Sequence, residues 1–376
     1  MPERNRRLIS LDGLRGIAAL IVLVHHSMMV IPSIANVYFS DLPIEGLRRA
    51  ISYTPLHLLW AGPEAVYLFF VLSGLVLAFQ TQRPGFDWGK YYPSRLIRLY
   101  LPVMGAVIFA AATIVLVSRD VDSLSIWIRN HPRLYTFSDS LLDVTLVGGI
   151  SWTISPLWSL MWEVFFSLLL PVYIAVAHKI KPWLVILGSI VLVTVGVTSH
   201  NQVLQYLPMF AIGVALAHAW PALQCWAERV QAHQFGWLVW LCLTAASSML
   251  TVTAWLLAPL GRDLTIWAPP FIVLGVTGFV LVGAFSPVAK WLLSLRPILW
   301  LGTVSFSLYL THEPIVVAFG HLLPSEPRLA TVAAILVALP AAWVFYRCVE
   351  KPAHRLAQRV AGRKSATEDR PVVVLQ

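Results

Sequence analysis

Apolar runs long enough to cross a bilayer recur along the chain near residues 14–33, 57–80, 99–118, 156–178, 182–199, 203–220, 236–257, 267–285, 299–323 and 328–348. A helix needs about twenty such residues to span a hydrocarbon core roughly 30 Å thick, so each run predicts a membrane helix. The connections between runs are short, and no soluble module, internal repeat or low-complexity block interrupts the series. The expected fold class is therefore all-α: a polytopic integral membrane helix bundle of about ten transmembrane helices. Residues 1–350 form one domain, followed by a basic tail over 351–376 that is expected to be disordered at its end. The longest connection, about 119–155, carries Asp120, Asp122, Arg129, His131, Arg133, Asp139 and Asp143. Its apolar piece LLDVTLVGGI is too short to span and fits a re-entrant segment. Long ordered loops on integral enzymes tend to shape the substrate site.

Composition sharpens this picture. The chain has 376 residues, 58% hydrophobic and only 12% charged, where soluble domains carry about 25% charged residues; its mean hydropathy is +0.74. The opening MPERNRRLIS is similar to a signal-peptide leader, but no small-residue cleavage site follows, so the first apolar run is read as an uncleaved span. Short-loop Lys and Arg set orientation. Arg4, Arg6, Arg7, Arg83, Lys90, Arg95, Arg98, Lys179, Lys181, Lys290, Arg296 and the tail from Arg347 to Arg370 share one side, which makes both termini cytoplasmic in a bacterial-type inner membrane. The net charge of +9 is then mostly a topological signal. With no basic helix interleaved with aromatics outside the membrane, a nucleic-acid partner is not expected. Cys225, Cys242 and Cys348 stand at unrelated spacings, which supports neither a disulfide framework nor a metal site.

The first span, LDGLRGIAALIVLVHHS, holds the first candidate chemistry. Arg15 and His26 are eleven positions apart, about 20° from three full turns and about 16 Å along a helix axis. They share one face, and His25 is turned roughly 100° away. With Arg15 at the cytoplasmic boundary, His26 falls near mid-membrane, where an ionisable group is costly and marks a candidate functional site. The plainer readings are an arginine that snorkels to the headgroups or pairs with Asp12, and a histidine that bonds between helices. A transporter or flippase also carries buried charge, although the internal repeats it predicts are missing from the sequence.

Further segments bear on the choice. AVYLFFVLSGLVLAF contains Ser73 and Gly74; YYPSRLIRLYLP puts Arg95 and Arg98 one turn apart at the start of the third helix. SPLWSLMWEVFF carries Glu163, and GTVSFSLYLTHEPI places His312 before Glu313 and Pro314, with VEKP at 349–352. In their order and spacing these motifs resemble the acyltransferase-3 family of integral membrane acyltransferases over nearly the whole chain. The family's Arg-x10-His motif falls on Arg15 and His26, its FFvLSGF on Phe69 to Leu75, and its paired arginines on Arg95 and Arg98. Its WSLxxE falls on Trp158, Ser159, Leu160 and Glu163, and its late Ser and His element on Ser307, Tyr309 and His312. Two positions depart from the pattern: Tyr67 stands where an acidic residue is common, with Glu64 one turn away, and Ser167 stands where a Tyr is common.

The resemblance implies transfer of an acyl group, usually acetyl, from acyl-CoA to a hydroxyl of a carbohydrate or glycolipid on the cell surface or for export. A small hydrophobic natural product, such as a macrolide sugar, is the alternative acceptor. Acyl-CoA (acetyl-CoA) enters as donor substrate, and no metal is expected. Arg15, Arg95 and Arg98 suit bidentate contact with the donor's phosphates; positive-inside topology alone is their other reading. The roughly 16 Å from Arg15 to His26 is comparable to the arm between those phosphates and the thioester. His26 is then the general base, a task suited to a pKa near neutrality, or the carrier of a covalent acyl group. Glu163 is expected to pair with a histidine or arginine or to bind acceptor hydroxyls. His312 is expected to orient the acceptor or complete the site. Trp152, Trp158 and Trp162 are able to stack on sugar faces, but tryptophans at this depth more often read as interface-belt residues.

Overall fold

The computed structural model describes residues 3–39, 45–119 and 125–362, without the side chains of residues 3–8, 262 and 263. The basic side chains at Arg4, Arg6 and Arg7, the loop carboxylates Asp120 and Asp122, and the tail beyond Gly362 lie outside what is described. Among the described residues the secondary structure is entirely helical.

The helices in chain order are α1 (Glu3–Met29), α2 (Pro32–Phe39), α3 (Gly46–Ser52), α4 (Gly62–Thr81) and α5 (Trp88–Leu116). Next come two short helices in the long connection, α6 (Ile126–Arg129) and α7 (Phe137–Thr145), then α8 (Leu157–Lys179), α9 (Pro182–Thr198), α10 (Gln202–Ala232), α11 (Gly236–Thr251) and α12 (Thr253–Leu257). The last are α13 (Ala268–Phe285), α14 (Pro287–Leu293), α15 (Arg296–Leu322), α16 (Pro327–Phe345) and α17 (Lys351–Val360). Among the described residues seven helices are long and apolar enough to cross a membrane, and nine spans result if α11 with α12 and α14 with α15, bent by 62° and 68°, each count as one. The tenth expected span, 182–199, is the 17-residue α9. At 1.5 Å per residue it is about 25 Å long, short of a 30 Å core.

The third span departs from expectation at its start. It begins at Trp88, eleven residues before the apolar run, because Asp87 caps it by accepting a hydrogen bond from the Gly89 N–H at 2.8 Å and the helix continues through Pro93 and Pro102. Arg95 and Arg98 therefore sit about 10 and about 15 Å inside the helix, not at its first turn. Large apolar side chains such as Ile108, Val115 and Leu116 on α5 and Leu192 on α9 point outward and exposed, as a lipid-facing surface requires.

α1 and α15 form the axis of the bundle. A Cβ on Gly16 would lie 2.4 Å from the Gly302 backbone nitrogen, and one on Gly302 would lie 2.4 Å from the Asp12 carbonyl oxygen. The two backbones are in contact, which only small residues allow. Ala330, Ala334, Ala338 and Ala342 of α16, all fully buried, press a second small-residue stripe into the cluster built on Leu308 and Ile315 of α15.

Candidate active site

Gly16 and His26 are ten residues apart on α1, and Gly302 and His312 are ten apart on α15. The helices run parallel, so the glycine contact carries the same register about 15 Å along both helices and brings the two histidines face to face. His26 Nδ1 lies 2.8 Å from His312 Nε2, with the rings nearly parallel, 5.0 Å between centroids.

The proton positions follow from the partners. His312 Nδ1 is 2.8 Å from the Leu308 carbonyl oxygen, which can only accept, so that nitrogen carries the proton. In neutral His312 the other nitrogen, Nε2, is then an acceptor. His26 Nδ1 must be the donor to it, which leaves the lone pair on His26 Nε2. His26 is half-buried while His312 is completely buried.

One ring face of His26 stacks on Trp127, 5.4 Å away. Trp127 in turn meets His131 edge-on at 4.5 Å. His131 places Nδ1 2.9 Å from the Trp127 carbonyl and Nε2 2.9 Å from Glu313. Glu313, fully buried, also accepts from the Ser155 N–H and the Ser155 hydroxyl, each at 2.5 Å. Because Glu313 follows His312 in the chain, the contacts close into a ring through His26, Trp127, His131, Glu313 and His312. The long connection thus reaches the site through α6. Among the described residues, no three His, Cys, Asp or Glu side chains gather closely enough to hold a metal ion.

The remaining expected residues gather elsewhere. Arg15, Arg95, Arg98, Glu163 and His354 line a small gap of about 10 Å³. Arg95 is buried; its Nη2 donates to Glu163 Oε1 in an ion pair and its Nε to the Ser167 hydroxyl at 3.1 Å. Ser73 also donates to Glu163 Oε1, at 3.1 Å. Glu163 is therefore an arginine partner, and its side chain makes no hydrogen bond to His26 or His312. Arg15 lies in the field of both Glu163 and Glu350, and Glu350 accepts from Ser307 with His354 Nε2 3.7 Å away. Arg98 also lines a larger polar cavity of about 370 Å³, shared with Arg83, Phe86, Lys90 and Tyr91 and closed by Gly362 after α17.

The residues that sequence reasoning did not assign are Trp127, His131, Glu313, Glu350 and His354. Trp127 carries no local signal; for the other four it is an ionisable side chain in or beside an apolar run or in the long connection, where Glu313 sits next to a residue already singled out and Glu350 and His354 are spaced one helical turn apart.

A family model described as an acyltransferase domain matches residues 8–347. The chain belongs to the acyltransferase-3 family. Acyltransferase MdmB of Streptomyces mycarofaciens is 26% identical to it over 396 residues, covering 96% of this chain and 95% of that protein. No solved structure matches the chain. The family assignment decides for a multi-pass membrane acyltransferase over a transporter. In this acyltransferase the histidine pair and the arginine cluster lie at two levels of one bundle, joined by α1, which contributes Arg15 to one and His26 to the other.

Proposed function

We propose that this acyltransferase moves an acetyl group from acetyl-CoA, bound from the cytoplasmic side, to a hydroxyl of a carbohydrate destined for the cell surface or export. The observation that carries the reading is the chain of short contacts from the Leu308 carbonyl through His312 to His26 Nδ1, which assigns the tautomer of His26. A general base needs a lone pair aimed at its substrate and a partner for the proton it keeps, and the Leu308–His312–His26 hydrogen bonds supply both.

The acceptor hydroxyl gives its proton to His26 Nε2 as its oxygen attacks the thioester carbonyl. The C–S bond then breaks, and the coenzyme A thiolate takes that proton back. During the step His26 is an imidazolium whose Nδ1–H stays on His312, and the carboxylate of Glu313, next in the chain to His312, offsets the positive charge.

Two features support acyl-CoA as donor. The 370 Å³ cavity with Arg83, Lys90 and Arg98 offers cations and aromatic rings to a phosphorylated nucleotide, and Arg98 links it to the gap beside Arg15. From Arg15 the rise to His26 is about 16 Å. The test is thiol release from acetyl-CoA by the purified full-length protein, together with mass spectrometry of glycans and lipids from cells with and without the gene. An added acetyl mass on one glycan supports the reading. No acetyl-CoA consumption and no acetylated product would overturn it.

A further inference from the structure

A second cavity of about 360 Å³ lies against an adjacent face of α1, within the range of about 300–1,000 Å³ typical of ligand sites. Leu14, Ile17 and Ile21 of α1 form one wall, and Leu68 of α4, Phe279 of α13 and Leu293 of α14 face them. From Leu14 to Ile21 it runs about 10 Å along α1, some two thirds of one leaflet of a 30 Å core. Its rim at Leu292 is exposed on the bundle surface. An elongated apolar slot parallel to the lipid chains fits a hydrocarbon chain in shape.

One end of this slot is not apolar. Glu64, 4% exposed, and Thr251, 3% exposed, both line it, and Glu64 Oε2 and Thr251 Oγ1 have no hydrogen-bond partner among the described residues. Glu64 is held in place by its other oxygen, which accepts from Trp255 Nε1 at 3.0 Å. Two buried polar atoms without a protein partner at the end of an apolar cavity are costly. A hydroxyl on a ligand satisfies both, because it donates to the carboxylate and accepts from the threonine.

We infer that the slot binds one chain of a membrane amphiphile whose hydroxyl-bearing head sits on Glu64 and Thr251. The site is separate from the histidine ring: Leu14, Ile21 and His25 share the slot's face of α1, whereas Arg15 and His26 share the adjacent one. His25 closes that face with Nδ1 2.9 Å from the Trp60 carbonyl. The inference stands independently of the donor and acceptor proposed above.

The full-length protein, purified in lauryldimethylamine oxide, whose head carries no hydrogen-bond donor, is mixed with dodecyl β-glucoside. Retained adducts are then counted by native mass spectrometry. Wild type is expected to keep one dodecyl glucoside, and to keep neither glucose nor dodecyltrimethylammonium. Glu64→Leu and Thr251→Val, which remove the polar partners, and Ala289→Phe, which fills the far end of the slot, should each lower retention at least fivefold. Thr251→Val conserves shape, so it reads the hydroxyl contact even where another variant folds poorly. Equal retention by wild type and Thr251→Val, or equal retention of dodecyltrimethylammonium, would overturn the inference and leave a groove for bulk lipid only.

Discussion

His312 faces His26 at 2.8 Å with its other nitrogen pinned to a backbone carbonyl, so one histidine fixes which nitrogen of the other can act. Removing the acting ring should remove the chemistry and little else. His26→Ala is expected to lower kcat by about 10²- to 10⁴-fold, the usual contribution of a general base, with unchanged expression and thermal midpoint. His25→Ala should keep most activity, since His25 points to Trp60. Parallel kcat measurements on the two purified variants check this; comparable losses in both would mean that the helix-face assignment is wrong.

His312 acts through His26, and its loss should show as a positioning defect. His312→Ala is expected to reduce kcat while the KM for acetyl-CoA stays within about twofold, because the arginine cluster that meets the donor lies about 15 Å away along α1 and α15. A rise in donor KM comparable to the fall in kcat would count against the two-level arrangement.

Glu313 and His131 form a buried pair behind Trp127. Breaking a buried pair from one side costs about 3–5 kcal/mol, so Glu313→Gln and His131→Leu should each lower the thermal midpoint markedly. Their double variant should lose less than the sum, with a coupling of about 0.5–3 kcal/mol. Strict additivity in unfolding experiments would show that the two side chains do not depend on each other.

The arginines should separate in their behaviour. Arg95 spends Nε and Nη2 on Ser167 and Glu163, so Arg95→Lys should mainly reduce folded yield. Arg98 lines both polar cavities; Arg98→Lys should raise the KM for acetyl-CoA by about 5- to 150-fold, the equivalent of about 1–3 kcal/mol for charged hydrogen bonds. Both variants keep the positive charge that orients the helix. An unchanged donor KM in Arg98→Lys would return that residue to a topological role.

Gly302→Val would force a side chain into the α1 backbone. Overpacking costs about 1–3 kcal/mol or more, and a 1 Å displacement of the histidines can cost about 10²-fold in rate. Lower stability together with lower kcat is expected, read by thermal unfolding and single-turnover rates.

Much of this was legible in the sequence. Each apolar run is helical, although 236–257 breaks into α11 and α12 and 182–199 is shorter than a full span, and the 100° step of an α-helix was enough to put Arg15 and His26 on one face and His25 on another. What escaped notice depended on contacts between distant segments. Nothing local to His26 names His312, and the meeting of Glu313 with His131 is a matter of where α6 folds back. The start of α5 was missed because WGKYYPSR is too polar to extend an apolar run, although Asp87 ahead of it is an ordinary N-cap residue. The bend between α14 and α15 has a visible cause in Pro297, which follows the break, whereas α14 itself lies between the expected runs 267–285 and 299–323 and was not expected as a helix. Arginine suits phosphate, which points Arg95 to the donor, yet the partly buried Glu163 of α8 claims the same guanidinium.

The register shared by Gly16 with Gly302 and His26 with His312 also has a consequence for biosynthesis. The partners in each pair are 286 residues apart. At about 5–20 residues per second of synthesis, the first membrane helix waits roughly 15–60 s before its counterpart emerges. A truncated or stalled chain therefore lacks half of the pair, and the finished protein acquires its chemistry only when nearly all of it has been inserted.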